Sequence, residues 1–408
     1  MSAVDCRPVV LPPRTVALRR RLSPPAAFYL LASITATFLA GSLAPTPLYP
    51  IYQAEWGFSA LTVTAIFSIY ALALLASLLI AGRLSDHVGR RPVLIVAAIA
   101  QAATMMLFIE ANGSDGLLLA RLVQGLVTGA ALGAVGAGLI DLDKNLGPVA
   151  NAVAPMTGTA SGGVASGLMV HFLPAPTSLI YLTLAAVFLL QAVGVALMDE
   201  TVPLRAGGLA SLAPQFRLPT SARRPMALAA PVLVAAWSLA GFYASLGPAV
   251  MRSVFGVDAS LGGGGVAFAL AGSGAVTVYL LRSWEPRSVM IYSSLALLLG
   301  VTLSVVGLAA HSTVGFVGGA AIAGTGFGAG FQGTVRTVAS NAWPHERSGV
   351  LSVIFVVAYI AMGIPSVVAG FFIAQFGNLL LTAESFGVAV ALLATLSLLG
   401  ALLPRSQG

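Results

Sequence analysis

GRLSDHVGRRP, residues 82–92, gathers Arg83, Asp86, Arg90 and Arg91 into nine positions of a chain that is only 8% charged. Gly82 and Gly89 bracket the group, and long apolar runs flank it on both sides. The chain has 408 residues, 58% of them hydrophobic. Soluble domains average about 45–50% apolar and about 25% charged residues. So few charges cannot clothe a water-facing surface, so the composition is that of a protein crossing a membrane many times. The 45 glycines and 23 prolines then point to close helix contacts and broken helices, both tolerated in membrane segments.

A helix needs about 20 apolar residues to cross a ~30 Å hydrocarbon core. Working outward from the opening stretch, twelve such runs are found, at 26–50, 58–81, 92–110, 117–140, 148–172, 175–197, 226–250, 260–281, 288–309, 312–338, 349–374 and 383–403. The longest polar connection, 198–225, separates a first group of six spans (26–197) from a second (226–403), with tails at 1–25 and 404–408. The expected fold is an all-α membrane protein of twelve transmembrane helices in two pseudo-symmetric six-helix bundles.

With the first residue placed in the cytoplasm, eighteen of the 20 Lys and Arg fall on that side: five in the N-terminal tail, three after span 2, Lys144, four in the central loop, Arg282, Arg287, Arg336, Arg347 and Arg405. Only Arg252 falls outside, and Arg121 lies within span 4. This positive-inside asymmetry predicts cytoplasmic termini in a bacterial-type cytoplasmic membrane. The net charge of +7 therefore follows the bilayer, and no nucleic-acid partner is expected. Arg19–Arg21, the apolar run after them and Ser42-Leu43-Ala44 imitate a cleaved signal peptide; the run is long enough to span and eleven more follow, so retention is expected. Cys6 is the single cysteine, which excludes an intrachain disulfide and a thiolate metal site. Neither metal nor cofactor is expected.

The two halves share short patterns at nearly one offset. Leu39-Ala40-Gly41 recurs as Leu239-Ala240-Gly241; Gly125 and Gly129-Ala130 recur as Gly324 and Gly328-Ala329; Arg83 and Asp86 fall on Arg282 and Glu285 of LRSWEPR, residues 281–287. Duplicated bundles place substrate between them near the midplane, with access alternating as the halves rock.

These motifs resemble the major facilitator superfamily. Gly82, Asp86, Gly89, Arg90 and Arg91 fit its signature between spans 2 and 3, and Arg121, Gln124, Gly125, Gly129 and Ala130 in RLVQGLVTGA resemble its span 4 signature. The resemblance implies a secondary transporter, with the first signature latching the inner side of the cavity. Two features depart from the family's proton-coupled drug exporters. Span 5, MTGTASGGVASG, lacks the antiporter Gly-Pro pair, and span 1 lacks an acid. Both weigh against antiport without removing it.

Asp86 is costly at this depth unless paired. The resemblance implies the positive N-terminal end of span 11 as its partner, while Asp141 or Asp143 after span 4 is within reach of Arg83 or Arg90. The rival reading is topology alone, for which arginines suffice. In span 4, Arg121, Gln124, Gly125 and Thr128 stand at i, i+3, i+4 and i+7 on one helix face, with Gly129 beside them. That stripe is expected to face the cavity, and the resemblance gives Arg121 a part in proton coupling or anion binding. The rival is snorkelling, since span 4 places Arg121 only about 7 Å inside its outer end at 1.5 Å per residue. Candidate cavity residues are Ser33, Thr37 and Gly41 in span 1, Gln191 in span 6, Trp237, Gly241 and Ser245 in span 7, and Gln332 in span 10; each polar group among them also serves as ordinary interhelical glue.

No acid lies well inside any span, which disfavours cations and suits neutral or amphipathic molecules. GAGFQG, residues 328–333, fits a dinucleotide fingerprint but lies within a span rather than after a strand. No Walker motif offers ATP drive, and His345-Glu346 lacks the second histidine of a zinc protease. The expected function is proton-driven export of small amphipathic compounds by a monomer. Uptake of a small metabolite in the same fold is the runner-up. An intramembrane enzyme is disfavoured, because it would need clustered acids, His or Lys at membrane depth.

Overall fold

The computed structural model describes residues 21–202, 208, 210–213, 218–343 and 346–402. The tail arginines Arg7 to Arg20, Cys6, Arg205, Arg217, His345 and Arg405 lie outside the described residues. Twelve helices of at least 20 residues are present among the described residues: α1 (Pro24–Leu43), α3 (Ala60–Ala81), α5 (Arg90–Ile109), α6 (Ser114–Leu142), α7 (Leu146–Phe172), α8 (Pro176–Ala196), α9 (Thr220–Phe255), α10 (Ala259–Leu280), α11 (Pro286–Ala309), α12 (Thr313–Ala339), α13 (Arg347–Phe376) and α14 (Leu379–Leu402). Two short helices, α2 (Tyr49–Trp56) and α4 (Ser85–Val88), sit in connections. Eleven of the long helices are apolar enough by composition to cross a membrane. The exception is α7, diluted by Gly, Ser and Thr, yet its 27 residues give about 40 Å at 1.5 Å per residue.

Each half carries its own core. One cluster draws only on residues from Ala27 to Met198, and a second only on residues from Ala222 to Ala394. Two smaller clusters join the halves, one around Tyr70, Leu74 and Tyr359 and one around Leu43, Phe67, Ala244 and Ala267.

The internal repeat is visible in which atoms touch. A Cβ on Gly125 would lie 2.5 Å from the Tyr70 carbonyl oxygen, and one on Gly129 would overlap that of Leu74. In the second half, Gly324 abuts the Leu270 carbonyl and Gly328 that of Gly274. The same turns of α6 on α3 are thus reproduced by α12 on α10. The helix-end clamps repeat too. Arg91 donates from Nε to the Val195 carbonyl at 3.3 Å and also bonds that of Ala196, at the end of α8; Arg287 donates to the Ala401 carbonyl at 3.1 Å, at the end of α14. A cation at a helix C-terminus offsets its partial negative charge.

Several helix ends differ from the sequence expectation. The first apolar run breaks at Pro45 and Pro47, giving α1, a 3-10 turn at Thr46–Leu48 and α2. The seventh span is a single helix of 36 residues despite Pro225, Pro231 and Pro248, a departure that membrane helices tolerate. The last begins at Leu379, four residues earlier than the hydropathy suggests, which brings Glu384 into its second turn.

Replacing Gly129 or Gly328 by leucine is expected to abolish a monodisperse detergent-solubilised species in fluorescence size-exclusion, because the added side chain meets backbone carbonyl. Gly265→Ala, where nothing lies within 4 Å, is the control and is expected to leave the thermal midpoint unchanged. Overpacking elsewhere costs about 1–3 kcal/mol, and a backbone obstacle sets these two sites at the upper end.

Candidate functional site

The break in α1 explains the polar face of α6. Proline at 45 has no N–H, so the Gly41 carbonyl loses its helical donor. Gln124 Nε2 supplies one instead, at 2.9 Å. Arg121 Nη1 donates to the Ser42 carbonyl at 2.7 Å, and Ser166 Oγ donates to that of Ala44 at 2.6 Å. Three side chains from α6 and α7 thus satisfy three carbonyls released by the kink, as burial in a membrane requires.

Arg121 is fully buried. Its Nε and Nη2 donate to the Tyr49 hydroxyl oxygen at 3.1 and 2.7 Å, and Nη1 also donates to Gln124 Oε1 at 2.8 Å. Its guanidinium carbon lies 5.0 Å from the centre of the Tyr70 ring. No carboxylate is bonded to it among the described residues. Snorkelling does not describe this residue: α6 starts at Ser114, so Arg121 lies about 10 Å in at 1.5 Å per residue, and it points between α1 and α3.

The stripe expected to line a cavity is divided between two roles. Arg121, Gln124 and Thr128 are buried against α1 and α3, while Gly125 and Gly129 are the seats of α3 backbone. Other candidates are also packing groups. Gln191 bonds Thr37 at 2.9 Å and Ser33 at 3.2 Å, stitching α8 to α1. Gly41 faces Phe188, and Gly241 sits against Met362 and Ser366 of α13. Ser245 bonds its own helix at Gly241. Gln332 donates to the Val278 carbonyl at 3.2 Å, leaving Oε1 buried and unpaired.

Trp237 is the candidate that stands at the junction of the halves. Its ring centre lies 5.9 Å from Phe327, 5.6 Å from Phe331 and 5.0 Å from Tyr359. Phe355 extends the group, 5.8 Å from Phe331. Tyr70 and Leu74 of α3 belong to the same cluster as Tyr359. All these residues lie near the middle of their helices. Phe327, Phe331, Tyr359 and Phe355 escaped the sequence reading because aromatic residues in an apolar helix carry no periodic signal of their own.

The charged stretch forms a compact turn. Gly89 takes φ +95°, and a Cβ there would lie 2.6 Å from Glu200 Oε2. Glu200 caps α5, accepting from Arg90 N at 2.9 Å and Arg91 N at 3.1 Å. Arg90 donates from Nε to Asp141 at 3.2 Å, from Nη1 to Ser85 at 2.6 Å, and also bonds Asp86. The expected partner of Asp86, the start of span 11, is therefore replaced here by Arg90. Asp143 instead accepts from Asn145 N and Leu146 N at 2.8 Å, starting α7. Glu200 was missed because it lies more than a hundred residues along the chain from the amides it caps.

The halves meet along α7–α10 and α3–α13. Near the face opposite this turn they touch closely: Gly167 on Ser260, Gly163 on Gly264, and Gly370 on Thr64. Ser68 Oγ donates to the Gly363 carbonyl at 3.0 Å, and His171 Nδ1 stands 3.6 Å from Asp258 Oδ1. Toward the basic face the seam loosens. No residue of α7 from Pro148 to Thr157 is buried, whereas Gly158, Gly162, Gly163 and Gly167 are. The close contacts between the halves are thus concentrated toward the opposite face, and α7 is least covered toward the basic one.

The sequence matches the family profile of the Major Facilitator Superfamily over residues 29–366. The chain belongs to that family. It is a multi-pass membrane transporter of a small molecule, not an enzyme. A stretch of 63 residues is 36% identical to multidrug resistance protein MdtL of Klebsiella pneumoniae (strain 342), covering 15% of this chain and 16% of that protein. Among solved structures, the nucleoside transporter NupG aligns with a TM-score of 0.68 at 14% identity, over 92% of this chain and 99% of that one. A bacterial homolog of the human lysosomal transporter Spinster, inward-facing and occupied, aligns with a TM-score of 0.70 at 14% identity, over 93% and 97%. Both share the fold. Among the described residues, no group of three His, Cys, Asp or Glu is placed to hold a metal ion.

Two outcomes follow from this geometry. Arg121→Lys is expected to fail nearly as badly as Arg121→Ala in thermal stability and transport, since one ammonium cannot serve Tyr49, Ser42 and Gln124 together; stranding such buried partners costs about 1–3 kcal/mol. The second concerns Asp258. Burial pushes its carboxyl up, but the Leu261 N–H, Ser260 and His171 outweigh this and hold it below 3.8. A depressed carboxyl contributes stability above its unfolded value and loses it as pH falls through the folded one. The cap on α10 thus survives mild acid. Asp258→Asn keeps the cap and loses the pair. Spin labels at Leu173 and Val257 are expected to separate further in Asp258→Asn than in the parent, because the contact with His171 across the seam is weakened.

Proposed function

We propose that the chain is a secondary active exporter that moves small neutral or amphipathic molecules out of the cell by alternating access. The proton gradient drives it, and no cofactor takes part. It acts as a monomer in a bacterial-type cytoplasmic membrane, with the basic face and both termini in the cytoplasm. The observation that carries this reading is the seam itself: close backbone contacts at the opposite face, an uncovered stretch of α7 toward the basic face, and an aromatic cluster half-way between. That is the form in which an exporter loads from the inside.

The charge asymmetry supports the orientation, and the stretch like a multidrug resistance protein supports export. Coupling needs a group whose charge changes with pH. No acid other than Glu384 stands more than a turn inside a long helix, whereas His171 and Asp258 face each other across the outer seam. That pair adds to the contacts that hold the outer ends together. Arg90 and Asp86, already paired within one half, are available to exchange partners when the inner side closes.

The test is flux in proteoliposomes with an imposed pH gradient, against a panel of amphipathic compounds. Proton-linked movement toward the acidic side is expected; gradient-independent exchange of a metabolite overturns the reading in favour of uptake. Asp86→Asn is expected to insert normally and lower the transport rate about tenfold or more, as loss of about 1.4 kcal/mol would do.

A further inference from the structure

The two halves carry very different charge on the basic face. Among the described residues of the first half, Arg21, Arg83, Arg90, Arg91 and Lys144 stand there with five acids, Asp86, Asp141, Asp143, Asp199 and Glu200. Arg90 pairs with Asp86 and Asp141, and Arg21 with Asp199. The second half sets six arginines, Arg223, Arg224, Arg282, Arg287, Arg336 and Arg347, against Glu285 and Glu346. Among the described residues, Arg282, Arg287 and Arg336 bond the backbone carbonyls of Tyr279, Ala401 and Trp284 and no carboxylate. Arg336 also keeps Nη1 covered and without an acceptor. The repeat shows what is missing. At the offset of 199 that relates the glycines, Asp141, the partner of Arg90, falls on Ser340. Like charges crowded on one rim repel one another, so their retention has a use if an anion from outside the chain supplies the counter-charge.

We infer that the 3-10 turn Leu281–Ser283, between α10 and α11, binds the phosphate headgroup of an anionic phospholipid, with Arg282 in direct contact and Arg336 as the cation behind it. This goes beyond the transport reading and needs only that the basic face lies at one surface of the bilayer. Three features set the chemistry. Arg282 is exposed, lies 4.1 Å over the Tyr279 ring, and donates from Nη1 to the Tyr279 carbonyl at 2.8 Å. Its Nε and Nη2 face no protein acceptor, and a guanidinium offers them as a planar fork that matches phosphate oxygens. Arg336 reaches the same turn from α12, donating from Nη2 to the Trp284 carbonyl at 2.6 Å, so its uncompensated charge stands behind the site. Tyr279 and Trp284 are themselves 49% and 47% exposed, and the Trp284 ring centre lies 6.3 Å from that of Tyr292. Such rings sit at headgroup depth in membrane proteins. That rim favours a lipid over a free anion, because it packs on glycerol and acyl groups and gives a soluble ion nothing. Basic pockets between membrane helices take anionic headgroups in this way.

The experiment measures binding, so it is independent of any gradient or transported compound. Detergent-solubilised full-length protein is titrated with short-chain phosphatidylglycerol, with phosphatidylcholine of the same chain length, and with inorganic phosphate. Thermophoresis gives affinities, and the thermal midpoint is read alongside. Phosphatidylglycerol is expected to bind about tenfold more tightly than phosphatidylcholine, and inorganic phosphate in large excess does not displace it. Arg282→Gln and Arg336→Gln are each expected to weaken phosphatidylglycerol about fivefold, the size expected for one basic residue beside an anionic lipid, and to leave phosphatidylcholine unchanged. Arg336→Lys keeps the charge and is expected to restore most of the affinity. Lys144→Gln removes the same charge from the rim of the first half and is expected to change neither affinity. If Arg336→Gln does not fold, Arg282→Gln decides alone, since the Arg282 guanidinium bonds only a carbonyl three residues back. Equal affinity for the two lipids, or indifference to Arg282→Gln, overturns the assignment. So does an equal loss in Lys144→Gln, which means general positive charge, and so does displacement by inorganic phosphate, which means a free-anion site.

Discussion

Backbone laid directly on backbone is the constraint from which the rest of this architecture follows. Lipid is as apolar as the helix surfaces, so helices gain little by hiding apolar area from it and associate through close packing. Here α6 lies on α3 through Gly125 and Gly129, and α12 on α10 through Gly324 and Gly328. The same device is used at the outer seam, where Gly163 meets Gly264. Within a bundle such contacts are permanent. Between bundles they must form and release, and there the Ser68–Gly363 hydroxyl bond and a histidine–aspartate pair supplement them.

The number of spans, the division into halves and the repeat were legible in the sequence because they depend on run length and on glycine spacing, both one-dimensional properties. Glycines 199 positions apart turned out to rest on carbonyls 200 positions apart, which is the repeat restated in contacts. Helix ends were less legible. Pro45 and Pro47 broke the first span, yet Pro225, Pro231 and Pro248 did not break the seventh, and hydropathy does not distinguish the two cases. At the first break the Gly41, Ser42 and Ala44 carbonyls take donors from α6 and α7, partners far along the chain that hydropathy does not register.

The candidate site was legible in its identities and not in its directions. Periodicity put Arg121, Gln124, Gly125 and Thr128 on one face, and they are on one face. It did not say what that face meets. The answer lay in α1, where a proline frees the carbonyl that Gln124 takes and its neighbour accepts from Arg121. The glycines of the same face serve another helix. Sequence spacing on α6 carries no information about a kink eighty residues upstream. The aromatic cluster was illegible for a similar reason: its members come from α3, α9, α12 and α13, and only Trp237 stood out by rarity.

Arg121 therefore connects the static and the moving parts of the protein. Its charge is buried without a carboxylate, and it persists because four of its N–H bonds reach neutral oxygens and a tyrosine ring covers its face. That arrangement pins the kink of α1 to α6. Its second neighbour, Tyr70, belongs to the cluster that joins the halves around Leu74 and Tyr359. The α3 backbone at Tyr70 is itself seated on Gly125 of α6, so Tyr70 and Arg121 move as one when the halves rock. One buried arginine thereby ties the α1 kink, α6 and the seam-facing turn of α3 into a single body, so that the first half can move against the second without its own helices parting.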